Sequence, residues 1–322
     1  MKGYDYYKPT TIVEAMKMMS TLDGAQYIAG GTDVMVLIKK NALSPMNLIS
    51  LRNIGELSYI DTTDGLKMGS GVTHTKIVND GFIQRHYSAL FDAVSTIGST
   101  QVRNVGTVGG NICNAAPSAD TLCPFLVFDA SVLIAGAKGE HQVSLDDFLL
   151  GPNSVALKKG EIVKGINLPV LGANSGSAYI KHTRRRAMEL PIVGIAARIS
   201  LDIGGRKEGW KDALRKTDSG SDILKRIEDE KLVCGDARIA MSVVAPRPIR
   251  AKEAESALKG QIISDDLLDE IGRIAASESH PRDSIRGEAW YRREMVRVLV
   301  KRAVLRAIER VIPSDDALNP KQ

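Results

Sequence analysis

The 322-residue sequence is poor in residues that announce a chemistry by themselves. It has three cysteines, Cys113, Cys123 and Cys234, too few and too scattered for a disulfide framework. No C-x-x-C pair exists, which speaks against a zinc or iron–sulfur site made wholly by this chain. Unpaired cysteines fit a reducing compartment, and a cytoplasmic location is expected. The five histidines are dispersed, and none has the spacing of metal ligands. Aromatic residues make up only 5%, against a platform that stacks single-stranded nucleic acid. No apolar run reaches 18 residues; the best, Pro124 to Ala137, is interrupted by Asp129, so no membrane span is expected. Met1 to Met19 carries Lys, Asp and Glu and does not read as a signal peptide. Charge of one sign is also scarce. Forty-three basic against 38 acidic residues give a net +5, from which no nucleic-acid partner follows. No Gly-Lys dipeptide is present, so a P-loop is excluded. The nearest approach to G-x-G-x-x-G, Gly69-Ser-Gly71-Val-Thr-His74, lacks the third glycine. No Ser-His-Asp or Cys-His arrangement is apparent from spacing.

What is there is a globular composition, 43% hydrophobic and 25% charged, at a length that suits two or three domains. Thr11 and Glu14 form a capping-box pair ahead of Ile12, Ala15, Met16 and Met19 on one helical face. A strand at Gln26–Ala29, a helix from Asp33 to about Lys40 and a strand at Asn47–Leu51 make an α/β unit. Short strands follow from Ser58 to His74, with a hairpin turn at Asp64-Gly65. A helical stretch runs from Thr75 to Ile97, and Pro124–Ala137 reads as helix then strand. Gly172 to Ser177 reads as a linker. Beyond it, Ala178–Lys181, Ile192–Leu201 and Ala237–Val244 read as antiparallel strands, with a polar insertion at about 204–231. Helices follow at Ala251–Lys259, after Ser264, and at Ala289–Val311. A boundary is placed near 172–178, between elements of α/β character and an antiparallel sheet with helices.

Two glycine pairs stand out. Ala29-Gly30-Gly31-Thr32-Asp33-Val34 lies between a strand and a helix, where bare backbone N–H groups suit a phosphate or pyrophosphate. Thr107-Val108-Gly109-Gly110-Asn111 continues to Pro117-Ser118-Ala119-Asp120. Two such loops, about seventy residues apart, suggest a long ligand held from two sides.

With these loops the sequence resembles the FAD-binding medium subunits of molybdenum hydroxylases, the group of xanthine dehydrogenase and aerobic carbon monoxide dehydrogenase. That family shows an A-G-G-T-D-like loop followed by Q-[IV]-R-N-x-G-T-[IV]-G-G-N and a P-x-[AS]-D. Here these stand as Ala29–Asp33, Gln101–Asn111 and Pro117–Asp120. Pro9 to Ala15, Glu161-Ile162-Val163, Tyr179, Lys181, Arg185 and Val244-Ala245-Pro246 extend the match over nearly the whole chain.

The resemblance implies an α+β fold: two small α/β FAD-binding subdomains of PCMH type (vanillyl-alcohol-oxidase-like), 1–56 and 57–173, and a C-terminal domain, 174–322, of antiparallel sheet and helices. FAD would be held by Tyr27, Ile28, Ala29, Gly30, Gly31, Thr32, Asp33 and Val34 on one side. Thr107, Val108, Gly109, Gly110 and Asn111 would form the second clamp, and Asp120 would hydrogen-bond the cofactor. Ile97 and Val163 would supply apolar walls and Lys181 a flavin contact. No residue of this chain would act as a catalyst or metal ligand. The resemblance also implies partners: a large molybdenum-cofactor subunit and a small [2Fe-2S] subunit, in a dimer of heterotrimers. Electrons would leave to an external acceptor such as NAD, a quinone or another carrier. The alternatives are a stand-alone flavoenzyme of the vanillyl-alcohol-oxidase-like superfamily, or a non-catalytic scaffold subunit. The cationic run Lys181, His182 and Arg184–Arg186 is read as a solvated face or a loop over the flavin, with Glu189 paired to one of its arginines.

Overall fold

A computed structural model describes residues 3–185, 187–204 and 221–311. The first 50 residues build a three-stranded parallel sheet from β1 (Asp5–Tyr7), β2 (Ala25–Ile28) and β3 (Asn47–Ser50). The order is β1-β3-β2, so the last strand is central. Successive side chains of a strand face opposite ways, and both faces of β3 are covered. Ile49 packs with Ile12, Ala15 and Met19 of helix Ile12–Thr21, while Leu48 packs with Ile28 and with Ile38 of helix Val34–Lys39. The first helix starts where the sequence places it: the Thr11 hydroxyl accepts from the Glu14 N–H. Glu14 reaches back to the N–H of Thr10 rather than Thr11.

The second sheet is antiparallel, in the order β4-β5-β10-β6-β7. Its strands are β4 (Ile60–Asp61), β5 (Leu66–Gly69), β6 (Ser131–Gly136), β7 (Gly139–Ser144) and β10 (Ile162–Leu168). A two-stranded hairpin, β8 (Leu149–Gly151) with β9 (Ser154–Val155), lies beside it in sequence. β4 and β5 pair across the Asp64-Gly65 turn, with Ile60 opposite Met68. The expected single helix from Thr75 to Ile97 is three: His74–Val78, Gly81–His86 and Ser88–Ser95. The break has a local cause. Asp80 caps the second helix, its carboxylate accepting from the N–H groups of Phe82 and Ile83. These helices and Leu122–Val127 bury Ile77, Ile83, Leu90, Phe125 and Phe128 against Met68, Val132, Ile134 and Ile166 of the sheet.

The third sheet runs β11-β12-β13-β14, all antiparallel. Its strands are β11 (Ser175–His182), β12 (Val193–Asp202), β13 (Val233–Ser242) and β14 (Ile249–Arg250). Along β12, Ile195, Ala197 and Ile199 face a core shared with helices Lys252–Leu258, Asp265–Ser277 and Ala289–Glu309. Ala196 faces the other way, into the core of the second sheet, with Tyr179 and Ala240. The C-terminal sheet is therefore covered on both faces. Charges reinforce the join: Asp129 receives Arg250 at 2.9 Å, Arg238 at 3.3 Å and Arg198 at 3.4 Å. Asp92 receives Arg310 at 2.7 Å and the Tyr179 N–H at 3.0 Å. Other basic residues of the last helix pair inside this domain. Lys301 pairs with Asp265 and Asp269, and Arg297 with Glu294.

Two sequence readings change. Of the expected polar insertion, residues 205–220 lie outside the described residues, whereas Ser221–Asp229 is a helix. The linker read at Gly172–Ser177 is a turn only up to Asn174, after which β11 pairs, Ser175 opposite Ser200. Gly176 is there for packing, since a Cβ on it would overlap the Ala307 carbonyl oxygen of the last helix. Gly176→Ala is expected to destabilise the fold by about 1–3 kcal/mol, the usual cost of overpacking, measured by urea unfolding of the full chain. An unchanged midpoint would show that the strand and helix separate freely at this point.

Candidate functional site

The end of β2, the segment leaving β5 and the start of helix Val108–Asn114 converge on one cleft of about 730 Å³. The two glycine loops are in contact across it. A Cβ at Gly30 would overlap the Val105 carbonyl and crowd the Gly106 Cα, so only glycine permits this approach. The second loop is in turn laced to residues 70–74. Gly109 N–H donates to Ser70 O (2.8 Å), Val108 N–H to Val72 O (3.0 Å) and His74 N–H to Gly106 O (3.0 Å). Thr107 caps its helix, accepting from the Gly110 N–H at 3.1 Å. The N–H groups of Gly30, Gly31 and Thr32 find no acceptor among the described residues.

Fifteen of the seventeen expected contacts line the cleft: Tyr27, Ala29–Val34, Ile97, Thr107, Gly109–Asn111, Asp120, Val163 and Lys181. Ile28 and Val108 do not. Their side chains point away from it, Ile28 against Ile38 and Leu48 and Val108 into the second core. Strand and helix alternation turns the neighbours of a lining residue inward, which a contiguous motif conceals.

The third domain contributes the charged floor. Lys181 Nζ, on β11, donates to Asp120 Oδ2 at 2.9 Å and to the Thr96 carbonyl at 3.1 Å. Tyr179 donates its hydroxyl proton to Asp120 Oδ1 at 2.9 Å. Burial pushes the Asp120 carboxyl up, and the Lys181 ammonium and the Tyr179 hydroxyl oppose that rise. Burial likewise raises the Tyr179 phenol well above its ordinary range. Asp120 uses one contact on each oxygen, and a carboxylate has about four acceptor positions, so capacity remains for a ligand donor. The Asp33 carboxyl is also raised by burial, partly offset by a bond from Thr32.

Residues not anticipated complete the wall: Ser70, Gly71, His74, Gly106, Leu51, Leu57, Leu157, Met188 and Leu190. The Gly69-Ser-Gly71-Val-Thr-His74 stretch fails as a dinucleotide fingerprint yet forms one side of the cleft; its glycines ahead of Thr-His were the available signal. The loop after β11 closes another side. Glu189 takes Arg184 at 3.0 Å and the Arg185 N–H at 2.7 Å, a pairing that the family resemblance implied. His182 instead meets the Tyr291 hydroxyl at 2.9 Å. Arg186 lies outside the described residues. Cys113 lines the cleft, but burial pushes its thiol up to about 12, and that of Cys123 likewise. Both are thiols, not thiolates, at neutral pH.

Chain-wide comparison fits this geometry. Residues 2–171 match the model of the FAD-binding domain in molybdopterin dehydrogenase. The chain belongs to that family. Residues 223–307 match the carbon monoxide dehydrogenase flavoprotein C-terminal domain. The xanthine dehydrogenase FAD-binding subunit of Escherichia coli O157:H7 is 30% identical over 94% of this chain and 95% of its own. The glyceraldehyde dehydrogenase medium chain of Sulfolobus acidocaldarius is 30% identical over 93% and 96%. Carbon monoxide dehydrogenase from Hydrogenophaga pseudoflava superposes with a TM-score of 0.82 at 26% identity, over 96% of this chain and 98% of that one. The α+β architecture, the oxidoreductase class and FAD as the cofactor follow. The cradle suits FAD on its own terms. It offers unpaired backbone donors on the first glycine loop, where the two loops touch, and its floor holds the buried Asp120–Lys181 pair.

The wall residue His74 yields a pH prediction. It is only 3% exposed, and burial, aided by the Arg103 charge, takes its pKa down to about 4 from 6.5. A depressed group contributes stability that is present above its unfolded pKa and is lost as pH falls through its folded one. Between pH 6.5 and 4 the apoprotein should therefore lose on the order of 3 kcal/mol relative to His74→Leu, read from paired urea titrations. Parallel pH profiles for the two proteins would mean that His74 ionises freely in the fold.

Proposed function

We propose that this chain is the electron-transfer subunit of a cytoplasmic, heterooligomeric molybdenum hydroxylase. Its partners are a large molybdenum-cofactor subunit and a small [2Fe-2S] subunit, in a dimer of heterotrimers. When bound, FAD supplies the redox chemistry, taking electrons from the iron–sulfur clusters and giving them to an external acceptor such as NAD, a quinone or another carrier. The residues of this chain bind and orient it. Gly30–Thr32 offer unpaired backbone N–H groups to its diphosphate, Thr107 and Gly109–Asn111 form the facing side of the clamp, Ile97 and Val163 bound the flavin, and Asp120 and Lys181 set the polar contacts at its floor. On this reading 1–56 and 57–173 are the two FAD-binding subdomains, and 174–322 completes the cleft through β11.

The observation that carries the reading is the contact of the two glycine loops over a cleft that also holds the buried Asp120–Lys181 pair at 2.9 Å. No helix among the described residues is long and apolar enough to cross a membrane. Relatives with closely similar chains are named as subunits or medium chains of dehydrogenases, which supports partners over a stand-alone flavoenzyme.

Purification from the native host should return FAD in near one-to-one amount, with molybdenum and iron in the co-purifying chains. A Cβ at Gly110 would meet only the Thr107 hydroxyl, at 3.1 Å, so a larger side chain there projects into the cleft. Gly110→Trp is therefore expected to fold and to lose FAD. Full flavin occupancy in that variant would remove the second clamp from the site, and a folded, partner-bound wild type without flavin would favour the scaffold reading.

A further inference from the structure

His74 is the first residue of helix His74–Val78 and has 3% of its surface exposed, at the wall of the cleft. Its Nδ1 is sealed from solvent and has no hydrogen-bond partner. No hydrogen bond of the ring to any described residue is present. Buried imidazoles ordinarily have partners, because an unpaired buried polar group costs free energy that folding must offset. The backbone around it shows where the ring looks. His74 N–H is fixed to the Gly106 carbonyl, and the Cδ2–Nε2 edge lies against the bare Gly106 Cα. A Cβ on Gly106 would stand 3.2 Å from Cδ2 and 3.6 Å from Nε2, so the glycine keeps that edge uncovered. Gly30 also closes on Gly106, a Cβ on it coming within 2.9 Å of the Gly106 Cα, and Gly30, Gly31 and Thr32, with unpaired N–H groups, line the same cleft as His74.

The tautomer follows from these surroundings. A proton on Nδ1 would be a buried N–H without an acceptor, which folded proteins avoid more strictly than a bare lone pair. The proton therefore sits on Nε2, and the ring is a neutral donor on the edge beside Gly106.

We propose that His74 is a further FAD-contacting residue, donating its Nε2–H to a diphosphate oxygen at the point where the two glycine loops touch. The inference rests on the FAD reading above and adds a side-chain donor to a clamp otherwise made of backbone. No covalent or redox step is involved. The diphosphate is the acceptor because the free donors of Gly30–Thr32 gather at the same spot, and a fixed N–H is best matched there by an anionic oxygen.

The test uses the full-length apoprotein of the wild type, His74→Leu and His74→Gln, with FAD as the probe. Flavin fluorescence quenching gives the affinity, and the ³¹P spectrum of the bound cofactor reports the diphosphate directly. His74→Leu is expected to bind FAD at least about tenfold more weakly, because a hydrogen bond to a charged group is lost. At neutral pH its apoprotein should be as stable as the wild type or more so, because an unpaired polar group has been replaced by an apolar one. A ³¹P resonance of its bound FAD should move. His74→Gln, which keeps a donor of similar reach, should recover part of the affinity. Wild-type affinity and an unchanged ³¹P spectrum in His74→Leu would overturn the inference while leaving FAD binding intact. A weaker affinity with an unmoved ³¹P spectrum would also overturn it, since the contact would then lie elsewhere on the cofactor. Should His74→Leu fail to fold, His74→Phe, which keeps a ring without the donor, takes its place, and wild-type affinity with an unmoved ³¹P spectrum there would overturn the inference. If wild-type protein that is folded by circular dichroism takes up no FAD, the broader reading and this inference fall together.

Discussion

The approach of Gly30 to the Val105–Gly106 backbone is the constraint on which the site depends. It brings together a parallel α/β unit of fifty residues and an antiparallel sheet that share no strand. Each loop reaches this point from a different fold logic. The first is the turn after β2, carried by a sheet whose central strand is covered by helices on both faces. The second is the start of a helix pinned by three backbone hydrogen bonds to the segment leaving β5. A side chain at Gly30 would push the two units apart and widen the cleft between their loops. The glycine is therefore less a hinge than a distance: it sets how near two independently folded backbones stand. Tyr27 adds a second tie between the same units, its hydroxyl donating to the Gly160 carbonyl at 3.2 Å.

The same economy explains the third domain. Asp120 is buried in a loop between two short helices, where a lone carboxylate would be strongly disfavoured. What opposes that cost comes from β11: Lys181 and Tyr179, two residues apart, lie on one face of that strand and reach one oxygen each. β11 itself is held against the second domain by Asp92, which takes the Tyr179 N–H together with Arg310 from the far end of the last helix. The long basic helix thus bears on the cleft from a distance. Its arginine positions the strand that positions the lysine that pairs the acid.

Much of this was legible in the sequence, for identifiable reasons. The Thr11 cap, the strands flanking Gly30-Gly31 and the C-terminal strands depend on local signals of period and capping, and they stand where those signals put them. Asp120 and Lys181 entered through a family pattern, and the fold turns that pattern into a salt bridge spanning 61 residues of sequence. Three features were not legible. The break at Asp80 requires weighing a cap against a continuous apolar periodicity. The strand identity of Ser175-Gly176 depends on a partner helix 130 residues later, so the glycines there read locally as a linker. His74 carries no signal by itself, because a lone histidine after a strand is ordinarily structural. Only the absence of any partner for its ring, visible once the chain is folded, sets it apart.

That absence belongs with a wider property of the cleft. Folded interiors satisfy their polar groups, yet here backbone donors at Gly30–Thr32, a histidine ring and spare acceptor positions on Asp120 converge on one space. Elsewhere among the described residues charges gather in networks, such as the three arginines on Asp129, and the buried side-chain atoms without a partner are the Nε atoms of Arg198, Arg286 and Arg292. What sets the cleft apart is that its unpaired groups come from three separate segments and line one space. Because they are held by backbone contacts and by a strand fixed from behind, they need no rearrangement to meet an extended anionic cofactor. Such preorganisation lowers the ordering cost of binding, so contacts made there go further toward affinity than the same contacts on a loose surface. A chain whose cofactor is FAD has reason to gather unpaired polarity where that cofactor would lie.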